Sequence, residues 1–140
     1  MAGDLARFVA AQDVVWPRVM AELAAGAKRS HWMWFVFPQI AGLGSSAMAV
    51  RFALASVAEA RDYLAHPVLG PRLVRATGLM LGHAGRPAEA ILGPVDALKF
   101  RSSMTLFQAT APGEPCFRAA LDAFYDGAPD PRTLARIASP

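Results

Sequence analysis

The chain of 140 residues contains a single cysteine, Cys116, and only two lysines, Lys28 and Lys99. One cysteine cannot form an intramolecular disulfide, and it cannot supply the paired thiolates of a typical zinc site. The chain also has neither a long apolar run nor a basic head before an apolar stretch, so we expect a cytoplasmic protein. Cys116 itself is expected to be a small buried apolar residue.

Charged residues are also scarce, at 18% of the chain, whereas hydrophobic residues make up 54%. This balance argues against intrinsic disorder and favours one compact domain over residues 1–140. The longest apolar run, Trp32 to Phe37, is too short to cross a bilayer. No basic segment followed by an apolar stretch is present at the N-terminus, so we expect no membrane partner.

Runs of like charge are absent, although the net charge is +3, because 14 basic and 11 acidic residues are interspersed. This distribution does not favour nucleic-acid binding. Twelve of the basic residues are arginines, and both lysines lie beside the most polar segments. A compact ammonium at those two positions suits a phosphate or carboxylate site.

The sequence contains only 17 Val, Ile and Thr residues, which favour strands, but 29 alanines, which favour helices. The composition predicts an all-α fold, a compact orthogonal bundle of about six to eight helices. Asp4 is a candidate N-cap for the first helical segment, which Gly26 should end and Pro17 should divide near Gln12 or Asp13. Ser30 is expected to cap a short buried helix ending before residue 38, although this apolar run also fits a buried strand.

Capping and breaker signals place the later helices. Ser56 and Glu59 form a capping box that opens a helix ending at His66. Asp96 or Ser102 is expected to cap a helix over the apolar segment that follows. The apolar spacing predicts further helices over these ranges: 68–81, 87–92, 114–125 and 131–137.

The segment from Ser30 to Gln39 contains two of the three tryptophans and His31. Burial of one such large side chain stabilises a fold by roughly 1.5 to 3 kcal/mol, so this segment should anchor the core, line a pocket or do both. Trp32 and Trp34 therefore either stack on a ligand or fill the interior. Lys28, Ser30 and Gln39 are the candidate ligand-binding polar residues of this segment.

His31 follows two cations, which favour its neutral form and leave a ring nitrogen able to accept a proton. It is the candidate general acid or base if the protein is an enzyme. The alternative is a half-buried histidine bonded to a backbone carbonyl. His66, four residues after Asp62, is expected to pair with that carboxylate at a helix end, and His83 to lie at the surface. The spacings of 35 and 17 residues between the histidines match no ligand template, so no metal site is predicted.

A second polar segment runs from Asp96 to Thr105. On a helix, Lys99, Ser102 and Ser103 share a face and can present an ammonium and two hydroxyls to an anion. A serine nucleophile activated by lysine is a further option. The alternative is an N-capped helix with an Asp96–Lys99 pair along its surface.

Gly42 to Ser46 is expected to be a loop leading into a helix that carries Met48, Phe52 and Leu54. Glycines before a helix are found in phosphate cradles, but the G-x-x-x-x-G-K pattern is absent. A plain capping loop is therefore the other interpretation.

Two hypotheses for function follow. The first is a pocket formed by the two polar segments that binds a small anionic ligand, such as a nucleotide, an ADP-ribose-like molecule or a phosphorylated metabolite, with no cofactor. It requires Lys28 or His31 to lie close to Lys99 or Ser102. The second is a non-enzymatic interaction module or homodimer that uses the apolar surplus.

The chain resembles a bacterial family catalogued as domain of unknown function 1810, which is sometimes labelled calpastatin. The residues that carry the resemblance are Asp4-Leu5 to Phe8 with Gln12, Lys28 to Gln39, Gly42-Leu43-Gly44, Tyr63-Leu64 with His66-Pro67 and Leu69-Gly70, Asp96 with Lys99, and Ser102 to Phe107. The resemblance implies a small, mainly helical cytoplasmic protein and brings no substrate, cofactor or catalytic residue. An inhibitor of the calpastatin kind would be disordered and polar, unlike this apolar chain.

Overall fold

The helix Pro94–Thr110 is the central element of the fold and packs against four other helices, Val57–Ala65, Ala88–Leu92, Pro115–Tyr125 and Pro131–Ala138. The computed structural model describes residues 4–138, so the outermost residues of the predicted domain, 1–3 and 139–140, lie outside the described residues. Within residues 4–138 the helices are α1 (Ala6–Ala25), α2 (Met33–Val36), α3 (Ala47–Arg51), α4 (Val57–Ala65), α5 (Leu69–Leu81), α6 (Ala88–Leu92), α7 (Pro94–Thr110), α8 (Pro115–Tyr125) and α9 (Pro131–Ala138).

The all-α prediction is confirmed, with nine helices in the described part of the chain rather than six to eight. No strand occurs between residues 4 and 138, where Ile40 and Leu54 form one isolated parallel bridge. The helix predicted to carry Met48, Phe52 and Leu54 is shorter than predicted. It ends at Arg51, and Leu54 lies in the bridge instead. Ser46 caps this helix by accepting a hydrogen bond from the Ala49 amide at 3.1 Å.

Helix α1 is continuous, so the predicted division at Pro17 is wrong. A proline in a helix removes the hydrogen bond to the carbonyl four residues earlier, here that of Asp13. Pro17 and Asp13 both lie on the exposed face of α1, where water can satisfy that carbonyl. The helix ends as predicted at Gly26, whose φ of 67° is left-handed.

The aromatic segment forms the short helix α2, and Ser30 does not cap it. Trp32, Met33, Phe35, Val36 and Phe37 are buried, whereas Trp34 is half-buried. The Phe37 ring meets the Phe100 ring of α7 edge-on, with centroids 4.8 Å apart. This contact fixes the aromatic segment against the central helix, and it leaves Trp34 at the surface beside the start of α7.

Helix α7 begins at Pro94, earlier than either predicted cap, Asp96 or Ser102. Gly93, with φ 87°, precedes a proline at the first helical position, where a missing N–H costs nothing. Residues 102–107 of α7 are all buried, so this stretch of the helix is covered on every side. Its exposed first turns carry the charged residues that face the aromatic segment.

Candidate functional site

A surface cleft of ≈ 310 Å³ lies where the aromatic segment meets the start of α7. We call it the lysine cleft; it is lined by Lys28, His31, Met33, Trp34, Leu92, Gly93, Pro94, Val95, Asp96 and Lys99. The two polar segments therefore meet in space. Asp96 joins them, because its carboxylate lies 2.7 Å from Lys28 Nζ and 3.6 Å from Lys99 Nζ.

Lys28 is the buried member of this cluster, with 6% of its side chain exposed. Its ammonium donates to the Ser30 carbonyl, pairs with Asp96, and lies 4.9 Å from the centroid of the Trp32 ring. Its backbone N–H donates to the Ile91 carbonyl at 2.8 Å. Lys28 thus uses its donors within the protein and holds Asp96 in place.

Lys99 is the accessible cation of the cluster. Its Nζ is 3.6 Å from the nearer Asp96 oxygen, beyond the usual length of a charged hydrogen bond, and 4.9 Å from the centroid of the half-buried Trp34 ring. The ammonium therefore keeps donors for a ligand. The amides of Val95 and Asp96 also face no intrahelical acceptor, because they belong to the first turn of α7.

His31 is exposed on the rim of the lysine cleft. Within residues 4–138 its ring forms no hydrogen bond, so it is not the half-buried, carbonyl-bonded histidine of the alternative interpretation. An exposed imidazole beside a cleft can exchange protons with solvent and with a bound molecule. Its assignment as general acid or base stays a prediction.

Glu22 of α1 holds the segment that leads into the cleft. Its carboxylate accepts hydrogen bonds from the amides of Arg29 and Ser30, from the Ser30 hydroxyl and from the Trp32 indole. Burial raises the pKa of Glu22, but these four hydrogen bonds outweigh it and lower the pKa to about 2. Ser30 and Trp32, two predicted ligand residues, are therefore structural partners of Glu22 and lie outside the cleft.

We expect Glu22→Gln to lower the free energy of unfolding at neutral pH by about 1 to 2 kcal/mol, because charge-assisted hydrogen bonds become neutral ones. A carboxyl whose pKa is lowered in the folded state stabilises the fold above its ordinary pKa of 4.5 and loses that effect as pH falls toward about 2. The difference between wild type and variant should therefore shrink across this range in urea titrations. Glu89→Gln, at an exposed position on α6, is the control and should behave like wild type.

A second cleft, of ≈ 370 Å³, adjoins the first across Val95 and Lys99, which line both. We call it the arginine cleft; it is lined by Gln39, Leu43, Gly44, Ser45, Ser46, Ala49, Val95, Leu98, Lys99, Arg101, Ser102, Asp130 and Arg132. The predicted residues Gln39 and Ser102 lie here rather than in the lysine cleft. The loop before α3 forms part of its wall.

The two serines of α7 do not form a nucleophile with Lys99. The Ser102 hydroxyl lies 3.0 Å from Asp130 Oδ2 and 3.1 Å from the Leu98 carbonyl. Ser103 is fully buried, and its hydroxyl has no hydrogen-bond partner in the described structure. Ser103 therefore cannot reach a ligand, which corrects its placement among the ligand-binding residues, and the Asp96–Lys99 pair is the part of that prediction that forms.

The comparisons with known proteins agree with this architecture. The family model described as "Protein of unknown function (DUF1810)" matches residues 2–137. The chain belongs to the DUF1810 family. This DUF1810 protein is also similar, at 52% identity and a TM-score of 0.96 over 98% of both chains, to a crystal structure of the conserved hypothetical protein Rv1873 from Mycobacterium tuberculosis. No curated protein matches it.

The other two histidines and the cysteine of the DUF1810 protein lie outside both clefts. His66 Nδ1 accepts from the amides of Val68 and Leu69 and so caps α5, instead of pairing with Asp62. His83 Nε2 lies 2.8 Å from the Leu23 carbonyl, so it ties α5 to α1 and is not a free surface residue. Burial raises the pKa of the half-buried Cys116 thiol to about 12, with Glu114 adding to the effect, which makes a reactive thiolate unavailable at neutral pH.

Two absences hold for residues 4–138 of this DUF1810 protein. No three His, Cys, Asp or Glu side chains there come together in a way that could hold a metal ion. None of the helices described is both long enough and apolar enough to span a bilayer.

Sequence reasoning missed three contributors to these clefts. Glu22 accepts hydrogen bonds from residues seven to ten positions further along the chain, whereas helical spacing predicts contacts only three or four positions apart. Arg132 comes from α9, distant in sequence from both polar segments. The Gly93-Pro94 pair was a readable helix-start signal, and it would have placed Asp96 in the first turn.

Proposed function

We propose that this DUF1810 protein binds a small anionic ligand in the lysine cleft, of the class of a nucleotide, an ADP-ribose-like molecule or a phosphorylated metabolite. The observation that carries the proposal is how the two lysines pair with Asp96. Lys28 and Asp96 form a close buried pair at 2.7 Å, and Lys99 adds an accessible positive charge in the same cleft. Two lysines therefore share the one carboxylate of Asp96, and the cleft keeps a net positive charge.

The side chains have separable roles in this proposal. Lys99 binds the anion, with the first-turn amides of Val95 and Asp96 as further donors. Trp34 provides an apolar wall beside it. Lys28 positions Asp96, and His31 on the rim is the group that would exchange a proton with a ligand that reacts. The cytoplasm, where we expect this protein, supplies phosphorylated metabolites of this kind.

Lys99→Gln is expected to weaken anion binding about tenfold, because a charged hydrogen bond contributes roughly 1.5 to 3 kcal/mol and 1.4 kcal/mol is a factor of ten. Thermal-shift titrations with ADP, ribose 5-phosphate and inorganic phosphate would measure this. At 100 times its dissociation constant, a ligand should stabilise the wild-type protein by about 2.7 kcal/mol.

Arg61→Gln provides the matched control for this experiment. It removes one positive charge from an exposed position on α4, outside both clefts, and should leave the ligand-induced shift unchanged. The proposal fails if none of the three anions shifts the wild-type transition, or if Lys99→Gln responds to them as wild type does.

A second candidate function, association with another copy of the chain, is favoured by two apolar side chains on α7. Val95 and Leu98 are 64% and 65% exposed and lie one turn apart, beside both clefts. Light scattering tests this alternative directly. A mass near the 14.9 kDa of one chain at high concentration excludes it, whereas a dimer that Leu98→Ser dissociates supports it.

A further inference from the structure

The arginine cleft contains two guanidinium groups that are held in place without a carboxylate partner. Arg101 donates to the carbonyls of Ala128 and Pro129, each at 2.9 Å, and Arg132 donates to the carbonyl of Leu43 at 3.0 Å. Elsewhere in the described chain, Arg72 and Arg118 pair with Asp13 and Asp122 at 2.9 and 3.1 Å. Backbone carbonyls fix the position of Arg101 and Arg132 but, because they are uncharged, do not neutralise the two guanidinium groups.

The one carboxylate of this cleft is already engaged. Asp130 Oδ2 accepts hydrogen bonds from the Thr133 amide and hydroxyl, at 3.1 and 2.6 Å, and lies 3.0 Å from the Ser102 hydroxyl. This pattern is that of an N-cap for α9. No ion pair within 4.0 Å joins Asp130 to the cleft's cations in the described structure, so Lys99, Arg101 and Arg132 leave the cleft positive.

Geometry links this cleft to the lysine cleft. Asp96, Lys99 and Ser102 follow one another at intervals of three residues on α7, and Lys99 lines both clefts. Val95 lines both clefts as well, so the two clefts adjoin beside Lys99. One small ligand with two anionic groups, such as a sugar bisphosphate, can therefore place one group in each cleft, with Lys99 near both.

From this juxtaposition we infer that the arginine cleft is a second anion subsite, and that the two clefts together bind one sugar bisphosphate, with Lys99 between its two phosphates. This inference rests on the proposed function of the lysine cleft and adds the substrate class. Arg132 and Arg101 hold the second phosphate. The side-chain amide of Gln39 and the hydroxyl of Ser45, which line the same cleft, face the sugar or its phosphate.

Calorimetric titration with fructose 1,6-bisphosphate, fructose 6-phosphate and inorganic phosphate at one ionic strength tests the inference. The bisphosphate should bind wild type with one molecule per chain and at least tenfold more tightly than the monophosphate. Arg132→Gln should lower bisphosphate affinity about tenfold and leave the affinity for fructose 6-phosphate unchanged. Because Arg132 also donates to the Leu43 carbonyl, a urea titration of this variant checks that the fold is retained.

Each result separates the two proposals. Equal affinity for bisphosphate and monophosphate, or unchanged bisphosphate binding in Arg132→Gln, overturns the second subsite, and the proposed function survives if Lys99→Gln still weakens monophosphate binding. Absence of binding by any of the three probes overturns both. Arg61→Gln is again the charge-matched control. Arg132→Lys, which retains the charge without the guanidinium fork, should recover part of the lost affinity.

Discussion

Asp96→Asn is expected to lower the free energy of unfolding by about 3 kcal/mol while it strengthens anion binding in the lysine cleft. The loss of stability arises because Lys28, with 6% of its side chain exposed, would keep a buried charge without its partner at 2.7 Å. The gain in affinity arises because one negative charge leaves the cleft beside Lys99. At the effective dielectric constant of a protein surface, we expect this gain to be several-fold.

Urea denaturation and anion titration of the same variant would measure the two effects. Asp122→Asn is the matched control, because the Arg118–Asp122 pair on α8 is more than half exposed and its removal should cost under about 1 kcal/mol. The double variant Lys28→Met, Asp96→Asn should be more stable than Asp96→Asn alone, since no buried charge remains. A stability loss no larger than that of the control would show that the Lys28–Asp96 pair is not a buried one.

Gly70→Ala is expected to destabilise the protein by about 3 kcal/mol, although alanine is normally the better helix former. A Cβ at Gly70 would lie 2.1 Å from the backbone carbonyl oxygen of Leu64, so α4 and α5 would have to move apart. A backbone atom cannot turn aside as a flexible side chain can. The expected loss is a fall in the urea midpoint with an unchanged slope.

Gly78→Ala is the matched control on the same helix and should have the opposite sign. Gly78 is exposed, and a Cβ there meets no atom within 4 Å. We expect a stabilisation of about 0.5 to 1 kcal/mol, because alanine loses less backbone entropy on folding. If both variants were stabilised, close approach of α4 to α5 would not be the reason for glycine at position 70.

Local signals explain why most helices were predictable. The Ser56 hydroxyl accepts a hydrogen bond from the Glu59 amide at 3.1 Å, as the capping box requires. The Glu59 carboxylate in turn accepts a hydrogen bond from the amide of Ala55. Gly26 ends α1 in a left-handed conformation, which glycine adopts without a steric penalty. Such features depend on residues within one turn of each other, so a sequence displays them directly. Pro17 failed as a signal because the cost of a proline depends on whether the freed carbonyl faces water.

The sequence by itself determined that this chain is helical, that its aromatic segment anchors the core or lines a pocket, and that Asp96 and Lys99 lie one turn apart. Only the tertiary structure decided which polar residues share a cleft. Lys28 meets Asp96, and Arg132 meets the loop at Leu43, across long stretches of chain. The physical reason is that helical periodicity assigns each residue to a face of its own helix, whereas the packing of Phe37 on Phe100 sets which faces meet.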